Sequence, residues 1–98
     1  MRLGKVLGTV VASQKQGKLG GLKLLLVQDM NGEGQLRDST RVAADTVGAG
    51  VGETAICTSG SSSRFTSLTN DAPVDDIVVG IVDAIDLENR RVYDKDQE

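Results

Sequence analysis

The chain has 98 residues, 39% of them apolar, only Phe65 and Tyr93 aromatic, and a formal net charge of −3. A chain of this length forms one domain, residues 1–98, and as a monomer it buries only about 64% of its extended-chain surface, so its core is modest and aliphatic. The acidic balance and scarce aromatics argue against nucleic acid; no histidine excludes His-based triads and metal sites, and the lone Cys57 excludes a disulfide, zinc or iron–sulfur site.

Met1-Arg2 followed by Leu3–Ala12 has the outline of a secretory leader, but Gly4, Lys5, Gly8 and Thr9 break its apolar run. No stretch is long enough for a membrane-spanning helix. The expectation is a soluble, cytoplasmic protein with no membrane partner. Arg2–Ser13 instead reads as a long strand whose even positions, Gly4, Val6, Gly8, Val10 and Ala12, make a small apolar face. Glycines on an inward face suit a narrow, strongly bent barrel. Gln16–Gly21 is a glycine-rich turn, and Leu22–Gln28 is a second strand that is apolar on both faces at Leu24–Val27.

Asp29-Met30-Asn31-Gly32-Glu33-Gly34 begins like a calcium loop, but Thr40 stands where a bidentate glutamate is required. A hairpin turn at Asn31-Gly32 explains the segment better. Gln35–Arg41 is polar and reads as an exposed loop. Val42–Val47 and Glu53–Ser59 read as the third and fourth strands, with Cys57 a buried thiol.

Between these strands lie Gly48, Gly50 and Gly52. A dinucleotide fingerprint needs a glycine where Glu53 stands and a helix where Thr54–Thr58 reads as a strand. The glycines therefore mark a tight strand-to-strand connection. Ser61–Leu68 has the composition of a two-turn helix capped by Gly60 or Ser61, and it lacks the lysine of a phosphate loop. Ile77–Ile85 is the last long strand, apolar on both sides, with Asp86–Asn89 as a turn, a short strand at Arg91–Tyr93 and a charged tail. The fold class expected is all-β: a small five-stranded, OB-like β-barrel with one short helix and antiparallel strands. Strands that are apolar on both faces leave an outer surface for a helix or another subunit to cover.

No acid–base pair stands out among the carboxylates, so an enzyme is not expected, and neither is a cofactor or a metal. The chain resembles the pentameric vertex proteins of bacterial microcompartment shells, the CcmL/EutN type. The resemblance is carried by Leu3–Val11, Lys23–Gln28, Val42–Glu53, Gly60–Arg64, Pro73–Asp75 and Val79–Asp83, in family order. Ser63 stands where the family more often has alanine, and Thr54-Ala55 is smaller than usual after the glutamate. The resemblance implies a homopentamer that caps the vertices of a polyhedral shell in the cytoplasm and contacts hexameric shell proteins. It also implies that Gly60, Ser61, Ser62, Ser63 and Arg64 lie near the five-fold axis, and that Gly48, Gly50 and Gly52 shape the turn after the third strand. The rival reading is an OB-type nucleic-acid or small-ligand binding module.

Overall fold

A computed structural model describes residues 1–11, 23–59 and 75–97. The turn expected at Gln16–Gly21 and the helix expected over Ser61–Leu68 lie outside them. The described chain is built from β1 (Arg2–Val10), β2 (Lys23–Met30), β3 (Leu36–Asp45), β4 (Thr54–Ser59), β5 (Asp76–Ile81), β6 (Ala84–Leu87) and β7 (Arg90–Asp94), then a 3₁₀ turn at Lys95–Gln97. The first five close into a barrel in the order β1-β2-β3-β5-β4, with β4 returning to β1. This is the expected five-stranded barrel, and closure removes the sheet edges that would otherwise invite aggregation.

The centre of the barrel is filled by Val6, Leu25, Val27, Ala43, Ala55, Cys57 and Val78, with Ala49 reaching in from the loop after β3. These residues come from alternate positions of each strand, as a two-residue period requires. Two irregularities keep the alternation aimed inward. In β1 the register shifts between Val6 and Gly8, so Leu7 is the extra residue and Gly8 and Val10 fall opposite Leu26 and Leu24 on the outer face. The even positions of β1 therefore do not form one inward face along its whole length. In β5, Val79 is skipped in the pairing with β4, which lets Val78 and Ile81 both meet inward-facing partners, Cys57 and Ala55.

Gly4 is the one β1 glycine whose lack of a side chain the packing demands. A Cβ there would collide with the Val27 side chain and come within 3.0 Å of the Gln28 carbonyl oxygen.

Three expectations need correction. Gln35–Arg41 is not a loop: from Leu36 onward it is the first half of β3, paired with β2 through Met30↔Leu36, Gln28↔Thr40 and Val27↔Arg41. The strands are not all antiparallel, because β3 meets β5 in parallel at Ala44↔Ile77 and Asp45↔Val78. The run Ile77–Ile85 is not one strand. Val82 leaves the β5 ladder to donate its N–H to the Thr54 carbonyl at 2.8 Å, and Ala84 starts a separate hairpin with β7.

Candidate functional site

The inward rows of the barrel are apolar only in their middle. On β2 the row Leu25, Val27 ends in Asp29; on β3 the row Ala43 is flanked by Arg41 and Asp45; on β5, Val78 is preceded by Asp76. Arg41 and Asp45 are four residues apart, so the two charges that flank Ala43 on β3 sit about 13 Å from one another along the strand. The barrel thus has two polar mouths.

At the first mouth Arg41 clasps Asp29 with two hydrogen bonds, Nε to Oδ1 and Nη2 to Oδ2, each 3.1 Å. The Ser39 hydroxyl donates to Asp29 Oδ2 at 2.6 Å, Arg2 Nη1 stands 3.9 Å from the same oxygen, and Arg41 Nη1 reaches Asp76 Oδ1 at 3.5 Å. A fork-on-fork arginine–carboxylate pair is strong and directional. The Arg41 hydrogen bonds hold the Asp29 carboxyl below its ordinary range, against an opposing push from burial. The same bonds raise Arg41 further. Cys57, completely buried behind this cluster, has its thiol pushed up to about 11, chiefly by desolvation and next by the Asp76 charge. It is an inert packing thiol, as its surroundings in the sequence indicated.

At the second mouth the carboxylates are answered mainly by backbone. Asp45 Oδ1 accepts N–H groups from Val47, Gly48 and Ala49 at 3.1, 3.1 and 3.3 Å. Glu53 Oε1 accepts the Gly50 N–H at 2.6 Å, and its Oε2 accepts from Lys95 Nζ at 2.6 Å. Those two partners, Lys95 first, hold the Glu53 carboxyl below its usual value. Glu53 is thus engaged by this loop and by the C-terminal turn. In the connection between β3 and β4 the three glycines differ. Gly48 and Gly52 take positive φ, 78° and 90°, whereas Gly50 does not, and a Cβ on Gly50 would meet Glu53 Oε1 at 3.2 Å. Gly60, Ser61, Ser62, Ser63 and Arg64 lie outside the described residues.

The outer wall of β1, β2 and β3 carries rows of cross-strand neighbours. Gly8, Leu26 and Val42 form one row, and Val10, Leu24 and Ala44 the next, with Ile77 of β5 continuing it. Below them Lys5, Gln28 and Thr40 form a polar row, and Gln28 Nε2 donates to the Arg37 carbonyl at 2.7 Å. At the far end Met30 is covered: it and Tyr93 of β7 line one small recess, and both side chains are buried.

An open cleft of about 440 Å³ is lined, among the described residues, by Met1, Arg2, Leu3, Met30, Gly32 and Ile56. Among the described residues, no group of three or more His, Cys, Asp or Glu side chains is placed to hold a metal ion. Asn31, in the segment weighed as a calcium loop, spends its Oδ1 on the Glu33 and Gln35 N–H groups, fixing the β2–β3 turn. The single described aromatic, Tyr93, is buried and offers no stacking platform. The sequence reading missed the Arg41–Asp29–Asp76 cluster. Its one linear signal is a carboxylate continuing the inward alternation of an apolar strand.

Known proteins resemble this chain along nearly its whole length. A family described as ethanolamine utilisation protein EutN/carboxysome matches residues 1–83. The carboxysome shell vertex protein CcmL of Synechococcus elongatus is 45% identical over 95 residues, covering 97% of this chain and 96% of that protein. The solved structure of Gloeobacter violaceus CcmL superposes with a TM-score of 0.94 at 42% identity, covering 98% of this chain and 99% of that one. The pentameric microcompartment shell protein GrpN of Rhodospirillum rubrum superposes with a TM-score of 0.81 at 45% identity, covering 89% of this chain and 99% of its own.

Proposed function

The chain belongs to the EutN/CcmL family, and from that membership we propose that it is a structural shell protein whose homopentamers cap the vertices of a polyhedral bacterial microcompartment. One observation carries the reading: the same closed barrel, over nearly the full length of both chains, as relatives named shell vertex and pentameric shell proteins. The barrel interior supports a structural role, because side chains fill its centre and the Arg41–Asp29 pair occupies one mouth. Hexagonal tiles alone form a flat sheet, and pentagons close it. The partners are therefore further copies of this chain and hexameric shell proteins, within a shell in the cytoplasm. No catalytic role, cofactor or nucleic acid enters this reading, and net charge −3 is consistent with that.

The motif Gly60–Arg64 is assigned to the surroundings of the five-fold axis, on the family resemblance of those residues. Small residues there let symmetry copies approach closely. Shell closure tests the function. Hexameric shell proteins expressed with this chain should form closed polyhedra under electron microscopy, and without it open tubes or sheets. Closed shells that form equally well in its absence would reject the vertex role.

A further inference from the structure

We infer that Asn31 is a site of spontaneous covalent modification. There the Gly32 backbone nitrogen displaces the Asn31 side-chain amide and leaves an aspartate or isoaspartate in the β2–β3 turn. The glycine opens the way to the reaction, and the fold does not require it. Gly32 is not among the glycines at positive φ, and a Cβ there would meet nothing within 4 Å. The glycine of this turn that does take positive φ is Gly34, at 82°. Gly32 is exposed and borders the open cleft beside Met1. Among the described residues, its N–H donates to no protein acceptor. Water and hydroxide therefore reach a main-chain nitrogen that no side chain shields.

The turn also prepares the carbon under attack. Asn31 Oδ1 accepts the Glu33 N–H at 2.9 Å and the Gln35 N–H at 3.0 Å. Negative charge builds on this oxygen as the ring closes, and two fixed donors at these distances stabilise it as an oxyanion hole does. The opposing restraint acts on the leaving group: Nδ2 donates to Gln35 Oε1 at 3.0 Å, a bond between side chains at the surface. In the reaction hydroxide takes the Gly32 amide proton, and the nitrogen bonds to Asn31 Cγ. The Cγ–Nδ2 bond breaks, and the departing nitrogen takes a proton from water, leaving as ammonia and returning the hydroxide. Water then opens the cyclic imide at either carbonyl, so asparagine and water become aspartate or isoaspartate and ammonia, with no change of oxidation state. Asn89 offers the contrast, because the next nitrogen belongs to Arg90, which carries a side chain and pairs with Leu87 in the β6–β7 hairpin.

Conversion adds a negative charge to a chain whose formal net charge is −3, and it removes the Nδ2 donor. The isoaspartate form also routes the main chain through Cβ. That extra carbon separates the Asn31 N–H bond to the Gln35 carbonyl from the Gly34 N–H bond to the Asn31 carbonyl, the two bonds that close the turn.

The test is incubation of the intact protein in heavy-oxygen water at mildly alkaline pH, then digestion in ordinary water and peptide mapping by mass. Asn31 should become a mixture of aspartate and isoaspartate carrying the heavy oxygen, about tenfold or more faster than Asn89. Gly32→Ala should keep the wild-type thermal midpoint and slow the conversion about tenfold or more, because its Cβ obstructs the attacking nitrogen. Gln35→Ala frees the leaving amide while keeping the backbone donor to Oδ1, and should speed conversion about two- to fivefold. If Gly32→Ala does not fold, Gln35→Ala and the ratio of Asn31 to Asn89 decide the matter. Conversion at Asn89 as fast as at Asn31, aspartate without isoaspartate, a wild-type rate in folded Gly32→Ala, or no acceleration in Gln35→Ala would each overturn the inference.

Discussion

At one mouth of the barrel the Asp29 carboxylate is gripped by the Arg41 guanidinium and the Ser39 hydroxyl, all supplied by side chains of β2 and β3. At the other mouth Asp45 holds three successive backbone N–H groups of the loop that follows its own strand. The first arrangement joins residues far apart in sequence and consumes the outward reach of its side chains. The second spends one carboxylate on three amides, and there Ala49 turns into the core while Val47 and Val51 stay exposed. The two mouths divide the labour: a side-chain plug secures closure of the barrel, and a backbone-anchored loop holds Val47 and Val51 at the surface.

The strongest way to break this division is at the plug. Arg41→Ala strands Asp29 and Asp76 at the mouth and should destabilise the fold by about 3 kcal/mol, the low end for a buried pair because Arg41 remains 28% exposed. Chemical denaturation measures it, and a loss under about 1 kcal/mol would show that the plug is ornamental. Gly4 pairs with Asp29 beside the same mouth. Gly4→Ala must displace buried Val27 or the Gln28 carbonyl, so it should cost about 2–3 kcal/mol.

The loop mouth is expected to respond to backbone chemistry instead. Asp45→Ala should cost about 2 kcal/mol by abandoning three donors, whereas Asp45→Asn, which keeps Oδ1 as an acceptor, should lose well under half of that. Gly48→Val and Gly52→Val force a β-branched residue into positive φ and should each cost about 1–2 kcal/mol in thermal unfolding. Gly50→Ala should cost less than about 1 kcal/mol, since only the Glu53 side chain must yield. Equal losses at Gly48, Gly50 and Gly52 would contradict the assigned loop geometry.

Acidification should distinguish the mouths most gently. Asp29 has its folded pKa below the ordinary 3.8, so the unfolded chain binds the proton first as pH falls. The stability Asp29 contributes is intact above about pH 5 and is lost as pH falls past 3.8 and through the lower folded value. In Asp29→Asn that part of the acid limb should flatten, which urea midpoints measured from pH 6 to pH 2 would reveal.

Much of the barrel is legible in the sequence because its middle obeys simple alternation. Leu24–Val27 and Glu53–Ser59 announce strands by β-rich composition, and Asn31-Gly32 announces the hairpin. The first half of β3 is illegible for a physical reason: Ser39 and Arg41 serve the ionic plug, so no apolar residue marks the buried side of that strand. The plug itself joins positions 29, 41 and 76, neighbours only once the barrel closes through the parallel β3–β5 contact. The break after Ile81 is hidden because Val82 is as apolar as the strand before it, and only its N–H bond to Thr54 turns the chain. Glycine positions were readable, but which of them need positive φ was not. Gly50 looks like its neighbours until Glu53 folds back to its N–H.

The homopentamer is the claim on which the vertex function depends. Native mass spectrometry of the unaltered protein at micromolar concentration tests it most directly. The account predicts one dominant species of five copies of the 10.3 kDa chain. A distribution confined to monomers, or a ring with any other number of copies, would contradict it.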